Sequence, residues 1–386
     1  MSSRSPHIYA IGLISIAWLI VNAILFYRTG IKIVADTGRY IEYGTNLASG
    51  SFYFDIHNFW YIGYALYIAA IKVCGGDINA IIAGQYVLSL ASVIALYRSS
   101  ILLWDSRAGA IITCLLFIGF TDIQMWNSYL LTESVFTSFT CFSIYLLILV
   151  HKQRFNTMLI VATALVIVFT YFIKPTGIAV LVAALAVIVY RLLDGMRSRT
   201  ARAGFVVVMI ILVLLLANRM LRTFMFIESY QVGEIIYDAG TFHDQAVTGG
   251  LVIKPPPDLY VPPPASPPVV RLLSFILHNP FYWTKLFLLK VYYLLFHTRP
   301  FWSLFHNIFS LAVLIPSYIL FGIGIRDNSL ATGVIVFAFT FLAVHILSVG
   351  ITSQDWDGRF LIPMLPVIFI FAGRGVTMLP GKKTST

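Results

Sequence analysis

Ten uninterrupted apolar runs, at residues 8–27, 80–97, 108–121, 130–150, 158–173, 176–190, 204–217, 301–325, 329–353 and 360–373, dominate this chain of 386 residues. With tilt and fuzzy ends, each can cross a hydrocarbon core of roughly 30 Å. The pattern specifies an all-α polytopic membrane protein with about ten transmembrane helices. Composition agrees: 59% of residues are hydrophobic and 11% charged, too few polar groups to cover a water-facing surface. An ordinary soluble enzyme, a disordered chain and a nucleic-acid-binding domain are thereby excluded. The 8–27 run follows a single Arg and lacks a small-residue cleavage site, so it reads as a retained span. Cys74, Cys114 and Cys141 each sit in an apolar stretch, match no zinc or disulfide spacing, and read as packing residues.

Two shorter aromatic-rich stretches, 60–73 and 283–296, read as interfacial or re-entrant helices. Arg4, Arg98, Arg107, Lys152, Arg154, Arg191, Arg197, Arg199, Arg202, Arg326, Lys382 and Lys383 then crowd into short loops on one side. The positive-inside rule makes that side the cytoplasm. The chain divides accordingly into an N-terminal transmembrane catalytic module (1–217) with its first outer loop at 28–79, an extracytoplasmic loop (218–300), and C-terminal transmembrane helices (301–386). Of the sixteen acids, all but Asp105, Asp194 and Asp327 fall outside or near that interface, so any acid–base chemistry belongs to the extracytoplasmic face. The loop 218–300 holds eight prolines between Pro255 and Pro268, which enforce extended chain: a spacer, or a lid that guides an acceptor.

The most informative stretch follows the first span: ADTGRYIEYGTNLASGSFYFDIHNFWYIGYALY. Tyr40, Tyr43, Gly44 and Leu47 recur at helical spacing, which predicts a short amphipathic helix over 37–48. Asp36 stands just before it, and on that ground alone serves equally well as a helix cap. The stretch combines an Asp after the first span, Arg39 and Tyr40 three and four residues on, and an aromatic approach to the next apolar segment. It resembles the first outer loop of the GT-C membrane glycosyltransferases, most of all the branch of lipid A aminoarabinose transferases and protein O-mannosyltransferases. Glu133 in SYLLTESVFTSF is similar to that family's second outer-loop acid, Lys174 in YFIKPTG to its lysine between the fifth and sixth spans, and DGRFLIPMLP to its Arg-aromatic-x-x-Pro-x-x-Pro approach to the last core helix. The chain departs from the family in following Asp36 with Thr37 rather than a second acid, and in carrying Glu rather than Asp at 133.

The resemblance implies transfer of a sugar from a polyprenyl phosphate to an acceptor hydroxyl on a glycolipid, a polysaccharide or a protein. It implies a multi-pass protein of the bacterial inner membrane with its site facing the periplasm. A hydroxyl is a weak nucleophile near neutral pH, so a carboxylate must take its proton; Asp36 is the candidate base, with Glu133 beside it. The lipid phosphate leaves once cations hold its charge, a role suited to Arg39, Lys174 and Arg359. His57, His297 and Arg299 are weaker candidates for substrate or metal contact. Asp36, Glu133 and His57 together offer oxygen and nitrogen ligands to a divalent ion, although no ligand spacing demands one. Competing classes are a transporter or flippase of lipid-linked sugars and a lipid-linked polysaccharide ligase or polymerase. A transporter places ionisable groups mid-membrane, whereas here only His306 and His345 lie well inside a span.

Overall fold

The computed structural model describes residues 5–152, 156–222, 226–237, 239, 250–352 and 355–379. Arg4, Arg154, Lys382 and Lys383, counted above for sidedness, lie outside them. Among the described residues the chain is helical throughout, and backbone pairing of the sheet kind is confined to two isolated bridges, Lys32 with Tyr129 and Glu234 with Val252. Seven helices are long and apolar enough to span a membrane: Pro6–Thr29, Ile78–Trp104, Thr132–Lys152, Pro175–Gly195, Arg199–Leu221, Leu304–Gly324 and Thr332–Ile351. Arg107–Gly119 and Thr121–Ser128, bent by 62° at their junction, make an eighth if taken as one span. The runs expected at 158–173 and 360–373 become the shorter apolar helices Thr157–Ile173 and Ile362–Met378. This is the polytopic all-helical architecture read from the apolar runs.

The chain forms two compact units. The first comprises 1–184, 312–341 and 362–386. Its organising element is a buried side-chain network around the non-helical segment that follows the bend. Gln85, fully buried in the Ile78–Trp104 helix, donates to the backbone carbonyls of Asn127 (3.0 Å) and Tyr129 (2.8 Å) and accepts from the Tyr64 hydroxyl (2.9 Å). The Asn127 amide donates to Asn22 Oδ1 (2.9 Å) and Ser89 Oγ (3.0 Å), while its oxygen accepts from Ser134 Oγ (2.7 Å). Asn22 in turn donates to Gln124 Oε1 at 3.1 Å. Five segments are thus tied together by amides, the groups able to donate and accept at once. Buried polar groups of this kind are costly unless paired, so the network admits essentially one arrangement of the backbone at 126–131.

Helix starts in this unit follow side-chain capping. Asp55 accepts from Asn58 N–H (2.7 Å), Asp77 from Ala80 N–H (3.0 Å), and Ser106 from Gly109 N–H (3.3 Å). Gly63 lets the Ile62–Val73 helix press on the end of Thr157–Ile173, where a Cβ would sit 2.8 Å from Ile173 N. At another end of the unit, Arg374 donates from Nε to Asp327 (2.5 Å), with its guanidinium over Trp104. Cys114 and Cys141 are buried as expected, but Cys74 is exposed, because it terminates the Ile62–Val73 helix rather than packing inside it.

The second unit comprises 185–311 and 342–361. Its core gathers Phe226, Ile227, Tyr230, Ile235, Ile236, Leu251, Phe275 and Leu286. The proline-rich stretch holds no strand and enters a helix only at Pro268, but it is not extended throughout. It turns twice, Leu259 N–H donating to Pro256 O (3.2 Å) and Ser266 N–H to Pro263 O (3.1 Å), because proline also favours turn positions. It is fastened just before its start, where Ile253 N–H donates to Gly233 O (2.8 Å), and at its middle, where Asn279 exchanges two hydrogen bonds with the Tyr260 backbone (3.1 and 2.9 Å). Lys290, from the Pro280–Phe296 helix, is fully buried, donating to Ser229 Oγ (2.5 Å) and Thr352 O (2.6 Å) above the Tyr230 ring. Burial pulls its ammonium down to about 7, with Glu234 opposing the shift.

Replacing Gln85 by Leu removes the side-chain donor from the Asn127 and Tyr129 carbonyls, of which Tyr129 O keeps Leu131 N–H at 2.9 Å, at a cost of about 1–3 kcal/mol; a lowered midpoint in thermal unfolding of detergent-purified protein is the expected readout, and an unchanged midpoint overturns the role assigned to the network. In the second unit, an unfolded lysine keeps its proton up to about 10.5 whereas folded Lys290 releases it above about 7. The unfolded state therefore binds more protons between those values, and stability rises with pH across that window. Melting curves from roughly pH 7 to roughly pH 9 should show this rise, and Lys290→Met should flatten it.

Candidate functional site

The amphipathic helix of the first outer loop runs Ala35–Ala48, starting two residues before the expected position. Asp36 is therefore inside its first turn and is not its cap. The cap position is Val34, which has no capping side chain; the Oγ1 of Thr37, three residues on, accepts from Val34 N–H at 3.0 Å, and its hydroxyl donates to Leu130 O at 3.1 Å. The reading of Asp36 as a cap is thus not met, and Thr37 fastens the helix to the network-held segment at 126–131. Lys32 is fastened to the same segment, donating to Ser128 O (2.9 Å) and accepting from Leu130 N–H (3.1 Å). The Asp36 carboxylate is 43% exposed and faces Arg39 Nη2 at 3.5 Å, one turn on.

Arg39 is held flat against aromatic rings, its guanidinium carbon 4.9 Å from the Tyr40 centroid and 5.1 Å from that of Tyr61. The same guanidinium donates to the Tyr40 hydroxyl at 3.3 Å. Tyr40 packs edge-on to Tyr64, 5.3 Å between centroids, which docks the helix onto Ile62–Val73. Burial, then Tyr61 and Glu133, push the Tyr40 hydroxyl well above the usual phenol range, with Arg39 opposing them and Asp36 adding to them. His57, in the Ile56–Phe59 turn, lies 5.7 Å from Tyr61 between ring centroids. Its imidazole is lowered from the ordinary value of 6.5 by burial and by Arg39, against Asp55 and Asp36.

Glu133 occupies a different environment. It opens the Thr132–Lys152 helix, whose next residue, Ser134, is bonded to the network amide Asn127. Its side chain is 2% exposed, and Oε1 accepts from Lys174 Nζ at 2.6 Å; Lys174 itself is 6% exposed. Lys174 is presented at the extended residue between Thr157–Ile173 and the turn Pro175–Gly177. The fold therefore brings five residues predicted from sequence, Asp36, Arg39, His57, Glu133 and Lys174, into one unit around Tyr40. It splits the two acids into one accessible carboxylate beside an arginine and one buried carboxylate beside a lysine. Among the described residues, Asp36, His57 and Glu133 are not drawn into a common ligand set within 4.8 Å of one another.

The remaining predicted residues, Arg359, Arg299 and His297, belong to the second unit. Arg359 Nε donates to Asp355 Oδ2 at 2.6 Å, and its backbone N–H to Asp357 Oδ1 at 3.2 Å. Arg299 is buried, donating at 2.8 Å to the backbone carbonyls of Tyr293, Thr298 and Asp355. Burial lowers it to about 10, and Asp357 and Asp355 oppose that shift. His297 adopts φ +50 and packs under Gly358, whose φ of +69 and lack of a side chain the loop requires: a Cβ would meet the imidazole at 2.4 Å. Sequence reasoning used Tyr40 only as a periodic position and passed over Tyr61. Their convergence on the arginine, with 5.5 Å between the two ring centroids, depends on two separate helix starts meeting.

No protein-family model matches the chain, and no curated protein matches it in sequence. In structure it is similar to ArnT from Cupriavidus metallidurans bound to undecaprenyl phosphate, with a TM-score of 0.50 and 11% identity over 98% of this chain and 61% of that one. The chain therefore spans about three-fifths of the length of that protein. The likeness shows the fold alone: a polytopic, all-helical membrane architecture.

Removing either member of the buried pair, by Glu133→Gln or Lys174→Met, strands the other charge and should cost about 3–5 kcal/mol. The double variant should lose much less than the sum. Equilibrium unfolding of the four proteins measures the coupling, and additive losses would show that the two side chains do not interact.

Proposed function

We propose that this protein is a membrane glycosyltransferase that moves a sugar from a polyprenyl-phosphate donor to an acceptor hydroxyl. The observation that carries this reading is the accessible Asp36 carboxylate, next to an aromatic-braced Arg39, in a GT-C fold like that of a protein crystallised with undecaprenyl phosphate. Asp36 accepts the acceptor's hydroxyl proton as the new bond from that oxygen to the anomeric carbon forms. The bond from the anomeric carbon to the phosphate oxygen breaks at the same centre, and polyprenyl phosphate departs with the electron pair. Arg39 and Lys174 supply positive charge toward that leaving group. Arg39 is well suited to it, since its planar fork is already oriented by two rings and loses little freedom on binding an anion.

Glu133 serves a positioning role in this scheme. Its carboxylate holds Lys174 and raises the proton affinity of the Tyr40 hydroxyl, so that Tyr40 stays a donor. The donor's apolar tail lies in the bilayer and its phosphosugar at the rim that the acids share. The site faces the extracytoplasmic side of a bacterial inner membrane. The lopsided acids and the short basic loops support that orientation.

Purified protein incubated with a panel of polyprenyl-phosphate monosaccharides should release the sugar onto a glycolipid, polysaccharide or peptide acceptor. Asp36→Asn should slow transfer by about 10²–10⁴ with little change in donor affinity. Full transfer by that variant would remove Asp36 as the base.

A further inference from the structure

The Arg199–Leu221 helix has none of its residues buried, and its apolar side chains from Val206 to Leu215 are largely exposed, a surface suited to lipid. The helix Pro268–His278 begins at the end of this span, where Val269 N–H donates to Asn218 Oδ1 at 3.0 Å. Pro268–His278 turns Phe275 and, in part, Leu272 toward the core of its unit. Val270, Leu273 and Leu277, at spacings of three and four, lie exposed on it, Leu277 at 76%. After the break at Asn279, Phe281 is 90% exposed at the start of the next helix. Water would leave these four large apolar side chains hydrated within a stretch of twelve residues, an arrangement that marks an interaction surface.

Charge indicates what covers it. Arg219 and Arg222, at the end of the span, and Lys285, one turn beyond Phe281, are exposed. No acid occurs in 199–222 or in 268–296. Glu228 is taken up by Arg271 of the Pro268–His278 helix at 3.8 Å, and apolar side chains flanked by exposed basic ones suit the boundary between acyl chains and anionic headgroups. The surface is also continuous with the lipid-facing span to which the helix is bonded.

We infer that Val270, Leu273, Leu277 and Phe281 insert into the interfacial zone of an anionic phospholipid bilayer, with Arg219, Arg222 and Lys285 at its headgroups. Pro268–His278 is then an in-plane anchor, and it sets the depth of the proline-rich strap through the Asn279–Tyr260 bonds.

The test uses the full chain in vesicles containing phosphatidylglycerol. Cys74→Ser removes the exposed thiol, and Leu277→Cys, Leu273→Cys or, as the water-exposed control, Lys254→Cys receives an environment-sensitive fluorophore. Labels at 273 and 277 should emit to the blue of the label at 254, be quenched by acyl-chain nitroxides and resist iodide. Arg222→Glu with Lys285→Glu should shift both labels toward iodide quenching. Iodide quenching at 273 and 277 equal to that at 254 would overturn the proposal. Protection from both quenchers would also overturn it, because protein rather than lipid would then cover the face.

Discussion

Asn127 and Gln85 bear on more of the first unit than any other pair of side chains. Between them they join the first span, the Ile78–Trp104 helix, the Ile62–Val73 helix, the bent segment and the start of Thr132–Lys152. Their strength comes from their surroundings: with apolar side chains and lipid around them, an amide has no water to fall back on, so misplacement leaves several groups unpaired at once. The segment at 126–131 is thereby held as irregular backbone and becomes a fixed shelf. Lys32 and Thr37 fasten to it from one side, and Glu133 grows out of it on the other.

That shelf explains how two acids nearly a hundred residues apart acquire different characters. Asp36 rides on a surface helix that begins at Ala35 and is fastened through Thr37, with its carboxylate open toward Arg39. Glu133 begins a packed helix and is enclosed with Lys174. An enclosed ion pair is a poor proton acceptor for an incoming hydroxyl, because taking a proton would leave a buried ammonium unpaired. An exposed carboxylate beside a braced guanidinium carries no such penalty. The assignment of base and positioning residue rests on this contrast. Tyr40 lies between the two and feels both.

Much of this was legible beforehand, for reasons that can be named. Periodicity placed a helix at 37–48 where Ala35–Ala48 forms, and the ten apolar runs marked helices of which seven, or eight with the bent pair, are long enough to span a membrane among the described residues, since length and hydropathy are local properties. The acids were less legible: Asp55 and Asp77 cap helices, while Asp36, for which a cap was an equal reading, does not. A shift of two residues in a helix start separates a cap from a first-turn side chain, and propensity does not resolve boundaries that finely. The pairing of Glu133 with Lys174 and the bracing of Arg39 by Tyr61 join residues far apart or on separate turns, where no periodic signal operates.

The sequence by itself determined a helical, polytopic membrane protein, because a bilayer constrains hydropathy one segment at a time. It also singled out Asp36, Arg39, Glu133 and Lys174 by resemblance. Only the tertiary structure decided which carboxylate is open and which is enclosed, that Arg299 serves backbone carbonyls, and that Lys290 is buried beneath Tyr230. Burial and partner choice depend on which distant segments are packed together, and here that packing is set by amide networks whose members carry no distinguishing mark along the chain.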